Sequence, residues 1–210
     1  MKIKEFQKRS RASLGGFRRR RNRGGRRAPL ALLFAVAVAF ILSSDARAGQ
    51  PPSPGNDVVE PSAYVSLQPV PRSRTFEIAV VGKVARGFHV NAHVPSEAYL
   101  IPTKITAELP SGILLVDTSY PPGVMRKFSF ADKPLRVYDD SFTVRIKLRA
   151  AADASVGPQK VGLTLGYQAC TEDTCFPPAK ASTTVQFDVV PQGRPAHPAN
   201  RDVFPAAPRE

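Results

Sequence analysis

The chain alternates apolar and polar residues in seven short runs. They cover residues 64–68, 75–84, 105–109, 113–118, 142–148, 161–167 and 184–190. A period of two residues is typical of strands with one buried face. Proline and glycine stand between the runs, and no window of useful length keeps a helical period. The pattern predicts an all-β domain, an immunoglobulin-like antiparallel β-sandwich of about seven to nine strands.

Both ends of the chain lack this alternation. Residues 1–48 hold a basic stretch, an apolar run over 30–42 and Ala46-Arg47-Ala48, which predicts a secretory signal peptide cut after Ala48. Proline-rich residues 49–62 are predicted to be a flexible linker, and residues 191–210 a disordered proline-rich tail. The folded domain is therefore predicted over residues 63–190.

The net charge of +13 comes almost entirely from the leader. Before Gly49 there are 13 basic and 2 acidic residues, which leaves 17 basic and 15 acidic residues in the remainder. A basic excess in a signal sequence does not predict nucleic-acid binding, and the apolar run is short for a membrane span. We expect a periplasmic domain that meets the membrane only through its signal peptide, with secretion or a retained signal anchor as alternatives. Export places it where disulfides persist.

The two cysteines of the chain, Cys170 and Cys175, lie between the last two predicted strands. Turn-forming residues 171–174 let the chain double back, so that the sulfurs can come within disulfide reach. A ring of about six residues contributes roughly 2 kcal/mol, against nearly 5 for a ring of about a hundred. Small exposed rings are typical of exchangeable disulfides. The spacing alone leaves both a structural hairpin disulfide and a redox pair open.

Residues near the cysteines affect thiolate formation and partner access, and the nearby histidines raise the question of a metal site. Glu172 and Asp173 should oppose thiolate formation, or else be ordinary solvated turn residues. The Pro177-Pro178 pair cannot donate to a sheet ladder and leaves the backbone beside Cys175 open to a partner. His89 and His93 are four residues apart, but in a strand-and-loop stretch instead of on one helix face, so no metal site is predicted.

Several stretches together resemble a known family. They are residues 87–113, the Tyr-Pro-Pro-Gly segment from Tyr120, Leu-Arg-Val-Tyr over 135–138, and Tyr-Gln-Ala-Cys through Cys-Phe-Pro-Pro over 167–178. This set is similar to the N-terminal exported domain of DsbD-type thiol:disulfide interchange proteins, over about residues 63–190. The most specific part is the Tyr-Gln-x-Cys-x4-Cys-x-Pro-Pro block.

The resemblance implies an immunoglobulin-like sandwich that acts as a protein-disulfide reductase component without a bound cofactor. Its redox pair would be Cys170 and Cys175, with Cys175 forming the mixed disulfide and Cys170 resolving it. Electrons would come from a thioredoxin-like protein or domain and pass to exported disulfide-containing proteins. The alternative is a non-catalytic exported binding or accessory module whose hairpin disulfide is purely structural.

The resemblance also implies a flexible aromatic cap over the cysteine pair, within residues 120–130. Tyr120 and Phe128 are the predicted shielding rings. Further residues are expected beside the site: Tyr167, His89, Asn91, Glu172, Asp173 and Phe176.

Overall fold

Strands and connecting loops make up the part of the chain that the computed structural model describes, residues 55–205. In chain order the strands are β1 (Val59–Val65), β2 (Leu67–Gln68), β3 (Val70–Pro71), β4 (Thr75–Val84), β5 (His89–Asn91), β6 (Lys104–Glu108), β7 (Ile113–Ser119), β8 (Val124–Arg126), β9 (Leu135–Tyr138), β10 (Ser141–Ala150), β11 (Gly157–Tyr167), β12 (Ala169–Cys170), β13 (Ala179–Val190) and β14 (His197–Pro198). Among these described residues there is no helix with the length and apolarity needed to cross a membrane.

Two four-stranded sheets form the body of the domain, with strand orders β1-β4-β10-β7 and β3-β13-β11-β6. All pairs in them are antiparallel except β3 with β13. Each of the seven alternating runs falls on strands, and the run over 75–84 coincides with β4. The predicted all-β, immunoglobulin-like sandwich is confirmed.

The core lies between these two sheets and follows the period of two. In β10 and β11, alternate residues such as Ile146 and Leu165 are buried while their neighbours are more exposed. β4 buries Ile78 and Val80 with the same period, although Ala79 between them is buried as well. Phe76 of one sheet meets Phe187 of the other, with ring centroids 4.9 Å apart. Each such buried side chain stabilises the fold by roughly 1.5–3 kcal/mol, so burial of these apolar residues is the main force that holds the two sheets together.

A third, smaller sheet carries the cysteine region and has the order β12-β5-β9-β8. Its strands are two to four residues long, too short to show alternation, and the sequence did not predict them. β12 follows β11 after a single residue, so the small sheet continues from a strand of the main body. The rigid sandwich thereby positions the cysteine segment.

One edge of the sandwich is unusually apolar. Among residues 55–205, β7 is the outermost strand of its sheet and pairs only with β10. Leu114, Leu115 and Val116 on this strand are each more than half exposed. Both faces of β7 therefore present apolar side chains beside unpaired backbone groups.

The predicted disordered tail needs correction, because residues 191–205 pack against the sandwich. β14 pairs with β2 in a two-stranded sheet. Asn200 donates a 2.8 Å hydrogen bond to the carbonyl of Val65, and the Arg145 guanidinium donates one of 3.0 Å to the carbonyl of Val203. Backbone-directed bonds fix the tail although it has few apolar residues. Residues 206–210 lie outside the described range.

The predicted linker boundary also needs correction. Strand β1 begins at Val59, inside the predicted linker over 49–62, and Val58 and Val59 are both buried. β1 pairs along its whole length with β4 and is an edge strand of its sheet. An edge strand tolerates Pro61, which has no amide proton to donate. The predicted signal peptide, residues 1–48, and the first part of the linker lie outside the described residues.

Candidate functional site

Cys170 and Cys175 face each other across a narrow hairpin and form a disulfide. Their sulfurs are 2.06 Å apart and their Cα atoms 3.9 Å apart. The amide of Phe176 donates to the carbonyl of Ala169, and the amide of Thr171 to the carbonyl of Thr174, each at 2.8 Å. These two backbone bonds flank the disulfide, as the turn-forming residues 171–174 predicted.

The two cysteines differ in accessibility. Cys170 is the last residue of β12, pairs with His89 of β5 and is only 1% exposed. Cys175 is partly exposed and is followed by the exposed pair Pro177 and Pro178, which have no amide proton to pair with a neighbouring strand. Cys175 is therefore the more accessible residue of the pair.

Gln168 holds the base of the hairpin and is a residue that sequence reasoning missed. Its side-chain oxygen accepts hydrogen bonds from Asn91 Nδ2 at 3.0 Å and from the Ile101 amide at 3.2 Å. Its Nε2 donates to the carbonyl of Phe176 at 3.2 Å. The sequence signal that could have identified Gln168 is its place in the Tyr-Gln-x-Cys block, two residues before Cys170. Asn91, which is fully buried, is thus connected through Gln168 to the backbone next to Cys175.

A chain of charged side chains crosses the site beside the disulfide. Arg126 Nε donates to Asp139 Oδ2 at 2.6 Å, and the other oxygen of Asp139 contacts His89 Nδ1 at 2.6 Å. The opposite ring nitrogen, His89 Nε2, lies 3.1 Å from Glu172 Oε1 in the cysteine turn. Burial alone would raise the pKa of Asp139, but hydrogen bonds from His89 and Arg126 lower it below its usual value. The carboxylate of Asp139 is therefore ionised.

Residues 124–130, which we call the cap segment, contact the cysteine turn directly. Ser129 donates to the carbonyl of Glu172 through its amide at 3.2 Å and its hydroxyl at 2.9 Å, and the hydroxyl also lies 3.1 Å from Asp173 Oδ1. Phe128 is 2% exposed and meets the His89 ring edge to face, with centroids 5.2 Å apart. Glu172 and Asp173 are thus exposed turn residues whose carboxylates lie within hydrogen-bond distance of His89 and Ser129, respectively.

The other predicted aromatic residues lie in different surroundings. Tyr120 stacks on His93 with centroids 3.6 Å apart, and its hydroxyl accepts a hydrogen bond from the Ile105 amide, so its observed contacts are not with the cysteine hairpin. Tyr167 is buried beneath the hairpin and donates to the Gly55 carbonyl at 3.1 Å. Phe176 packs on Phe88 with centroids 5.9 Å apart. Tyr167 belongs to the main core cluster, and Phe176 packs against that cluster.

Within residues 55–205, no group of three or more histidine, cysteine, aspartate or glutamate side chains is arranged to hold a metal ion. The arrangement instead offers a disulfide with one partly exposed cysteine, a cap segment hydrogen-bonded to the cysteine turn and a histidine within hydrogen-bond distance of two carboxylates. Its chemical capacity is exchange of the disulfide with an external thiolate, since a thiolate, an accessible sulfur and a leaving sulfur are what that reaction needs.

Comparison with known proteins agrees with this chemistry. The family model described as "Thiol:disulfide interchange protein DsbD, N-terminal" matches residues 56–186. No curated protein sequence matches the chain significantly.

Three solved structures are similar to this chain. The reduced DsbD N-terminal domain of Neisseria meningitidis is 21% identical, with 74% of this chain and 98% of that chain covered and a TM-score of 0.37. The N-terminal periplasmic domain of ScsB from Proteus mirabilis is 16% identical, with 63% and 47% covered and a TM-score of 0.43. A complex between the DsbD and PilB N-terminal domains of Neisseria meningitidis matches at 21% identity, with 64% and 88% covered and a TM-score of 0.30.

Proposed function

The chain belongs to the family of N-terminal domains of DsbD-type thiol:disulfide interchange proteins, and from this premise we propose that it relays reducing equivalents between proteins by opening and closing the Cys170–Cys175 disulfide. The observation that carries the proposal is the unequal exposure of the two cysteine residues within one small ring. A purely structural bridge needs no such asymmetry. A relay needs one sulfur that partners reach and one that is held in reserve.

The exchange proceeds in two displacements. A partner thiolate attacks the sulfur of Cys175, the intramolecular disulfide breaks, and Cys170 leaves as a thiolate that takes up a proton. The second thiol of the partner, as its thiolate, then attacks the mixed disulfide and releases Cys175, which is protonated in turn. The partner ends as a disulfide and this chain as a dithiol, so two electrons and two protons have moved. An oxidised acceptor later reverses both steps.

The donor in this scheme is a thioredoxin-like protein or domain, and the acceptors are exported proteins that contain disulfides. The domain works in the periplasm, after export by the signal peptide predicted over residues 1–48. No bound cofactor takes part, because the electrons reside in the two sulfurs at every stage. Phe128 and Ser129 of the cap segment shield the disulfide between encounters, supported by their contacts with His89 and with the cysteine turn.

A single-cysteine exchange assay tests the proposal. The Cys170→Ala protein, with Cys175 carrying a thionitrobenzoate group, is mixed with a thioredoxin that lacks its resolving cysteine. We expect fast release of thionitrobenzoate and a mixed disulfide that dithiothreitol reverses. The matched control is Cys175→Ala with the same group on Cys170, which should react at least about tenfold more slowly because of its burial.

The contrary result is equally clear. If the activated Cys175 protein reacts no faster than its matched control, and the natural disulfide resists dithiothreitol until the protein unfolds, the disulfide is structural and the relay is refuted. In that case a protein without both cysteines would retain its fold with a lower melting temperature and lose no partner-directed activity.

A further inference from the structure

Both ring nitrogens of His89 face carboxylates. Nδ1 lies 2.6 Å from Asp139 and Nε2 lies 3.1 Å from Glu172, so each nitrogen is within hydrogen-bond distance. An ionised carboxylate can only accept a hydrogen bond, and a neutral imidazole carries a single N–H group. Only the doubly protonated imidazolium donates to both partners at once. The geometry therefore favours a positive charge on His89 when the cap is in place.

This imidazolium joins separate parts of the site. His89 belongs to β5, Asp139 follows β9 and binds Arg126 at the end of β8, and Glu172 lies in the cysteine turn. These are the charged groups in contact with the ring or its carboxylates. With His89 protonated the four charges cancel. Its deprotonation leaves one net negative charge and removes the proton shared with Glu172.

His89 also lies next to the buried cysteine, Cys170. His89 pairs directly with Cys170 in the antiparallel ladder between β5 and β12. Side chains of directly opposed residues project from the same face with Cβ atoms about 4.5–5.5 Å apart. The ring of Phe128 lies against the His89 ring at 5.2 Å. His89 is thus placed between the buried sulfur and the cap segment.

We propose that His89 is a positioning residue for disulfide exchange, an ionic clasp that, while protonated, binds the cysteine turn through Glu172 and the base of the cap segment through Asp139. The clasp holds the cap segment and the cysteine turn together and balances the charge of the Glu172 carboxylate. Loss of the proton frees Glu172 and lets the turn and cap segment separate. This inference rests on the proposed exchange function.

The sign of the pH dependence follows from the charge states. Histidine side chains change charge between about pH 5 and 8. We infer that the site is closed while His89 is charged and that the clasp is released when His89 is neutral. The rate of disulfide reduction per unit of thiolate reductant should therefore rise with pH. A hydrogen bond between charged groups is strong enough to change a local opening equilibrium by about tenfold.

The experiment measures reduction of the disulfide in the full chain by dithiothreitol from pH 5 to pH 8.5, with each rate divided by the dithiothreitol thiolate concentration. The natural protein should accelerate about five- to tenfold across the range. The disulfide of His89→Gln should be reduced fast at every pH, because glutamine carries no charge. His89→Arg should be slow at every pH, because it stays charged and can donate to both carboxylates.

Two further variants guard against general misfolding. Glu172→Gln changes an exposed turn position and should also flatten the pH profile. His93→Gln is the matched control: His93 stacks on Tyr120 and contacts the carbonyl of Thr103 instead of a carboxylate, so its profile should follow the natural protein.

The outcomes separate this inference from the proposed function. If the natural protein is reduced readily while folded, but His89→Gln and Glu172→Gln keep its rate and pH profile, the clasp is refuted and the relay stands. If the natural disulfide is not reduced at any pH before the protein unfolds, the relay itself is refuted, and the clasp with it.

Discussion

Truncation of Phe128 separates its two roles as a core residue and as part of the cap. Phe128 is 2% exposed and forms a small buried cluster with Leu100, Leu135 and Val137. Removal of a buried phenylalanine ring costs about 3–5 kcal/mol, depending on how far the surroundings collapse into the space. A four-residue cluster beneath a surface segment collapses readily. We therefore expect Phe128→Ala to lower the free energy of unfolding by about 3 kcal/mol.

The same truncation should open the site locally. The Phe128 ring covers His89, and the adjacent Ser129 binds the cysteine turn, so a weakened cap segment opens at lower free-energy cost than global unfolding. At pH 7 the disulfide of folded Phe128→Ala should be reduced by dithiothreitol at least about tenfold faster than that of the natural protein. Urea unfolding of the oxidised protein gives the stability, and timed alkylation followed by mass measurement gives the reduction rate.

Phe187→Ala is the matched control, since Phe187 is also 2% exposed but lies in the main core against Phe76. It should lose comparable or greater stability without acceleration of reduction, at temperatures where both variants are fully folded. If the two variants accelerate reduction in proportion to their losses of stability, Phe128 is a core residue alone and the cap interpretation is wrong.

Three further expectations concern stability and its pH dependence. Tyr167→Phe should lower the free energy of unfolding in urea by about 1 kcal/mol, through loss of the hydrogen bond to Gly55. Because burial raises the pKa of Tyr167, the natural protein should lose stability above about pH 10, and the variant should lose less. The pKa of Asp139 is lowered by its basic partners despite burial. The stability that its carboxylate contributes should therefore be complete above about pH 4 and be lost on acidification. The stability of Asp139→Asn should depend less on pH in this acid range. Gly112→Ala should cost more than about 2 kcal/mol, since Gly112 has φ +78° and a Cβ there would meet backbone at 2.5 Å, whereas Gly193→Ala, with φ +81° and open space, should cost only about 1–2.

The sequence predicted the sandwich but only part of the site, for a physical reason. Long strands such as β4 and β10 bury alternate residues over ten positions, and that period is visible in the chain itself. β5 and β9 are three and four residues long and exist because they pair with each other, so they leave no readable period.

The charged network shows the same limit. Asp139 and His89 are 50 residues apart in the chain, and Glu172 is 83 residues from His89, so only the fold brings the three together. The cysteine hairpin was predictable, because all of its signals are local. The packing of Tyr120 on His93 was not predictable, because a proline turn gives no indication of where its aromatic ring packs.

The free edge of β7 affects the behaviour of the protein at high concentration. Leu114, Leu115 and Val116 stand beside backbone amides without partners, a template on which another extended chain can add. Two molecules that meet edge to edge would prolong the sheet across their boundary. Asp117 is the single ionisable residue of this strand, and salt screens the repulsion between two such carboxylates. Colloidal stability should therefore decline as ionic strength rises.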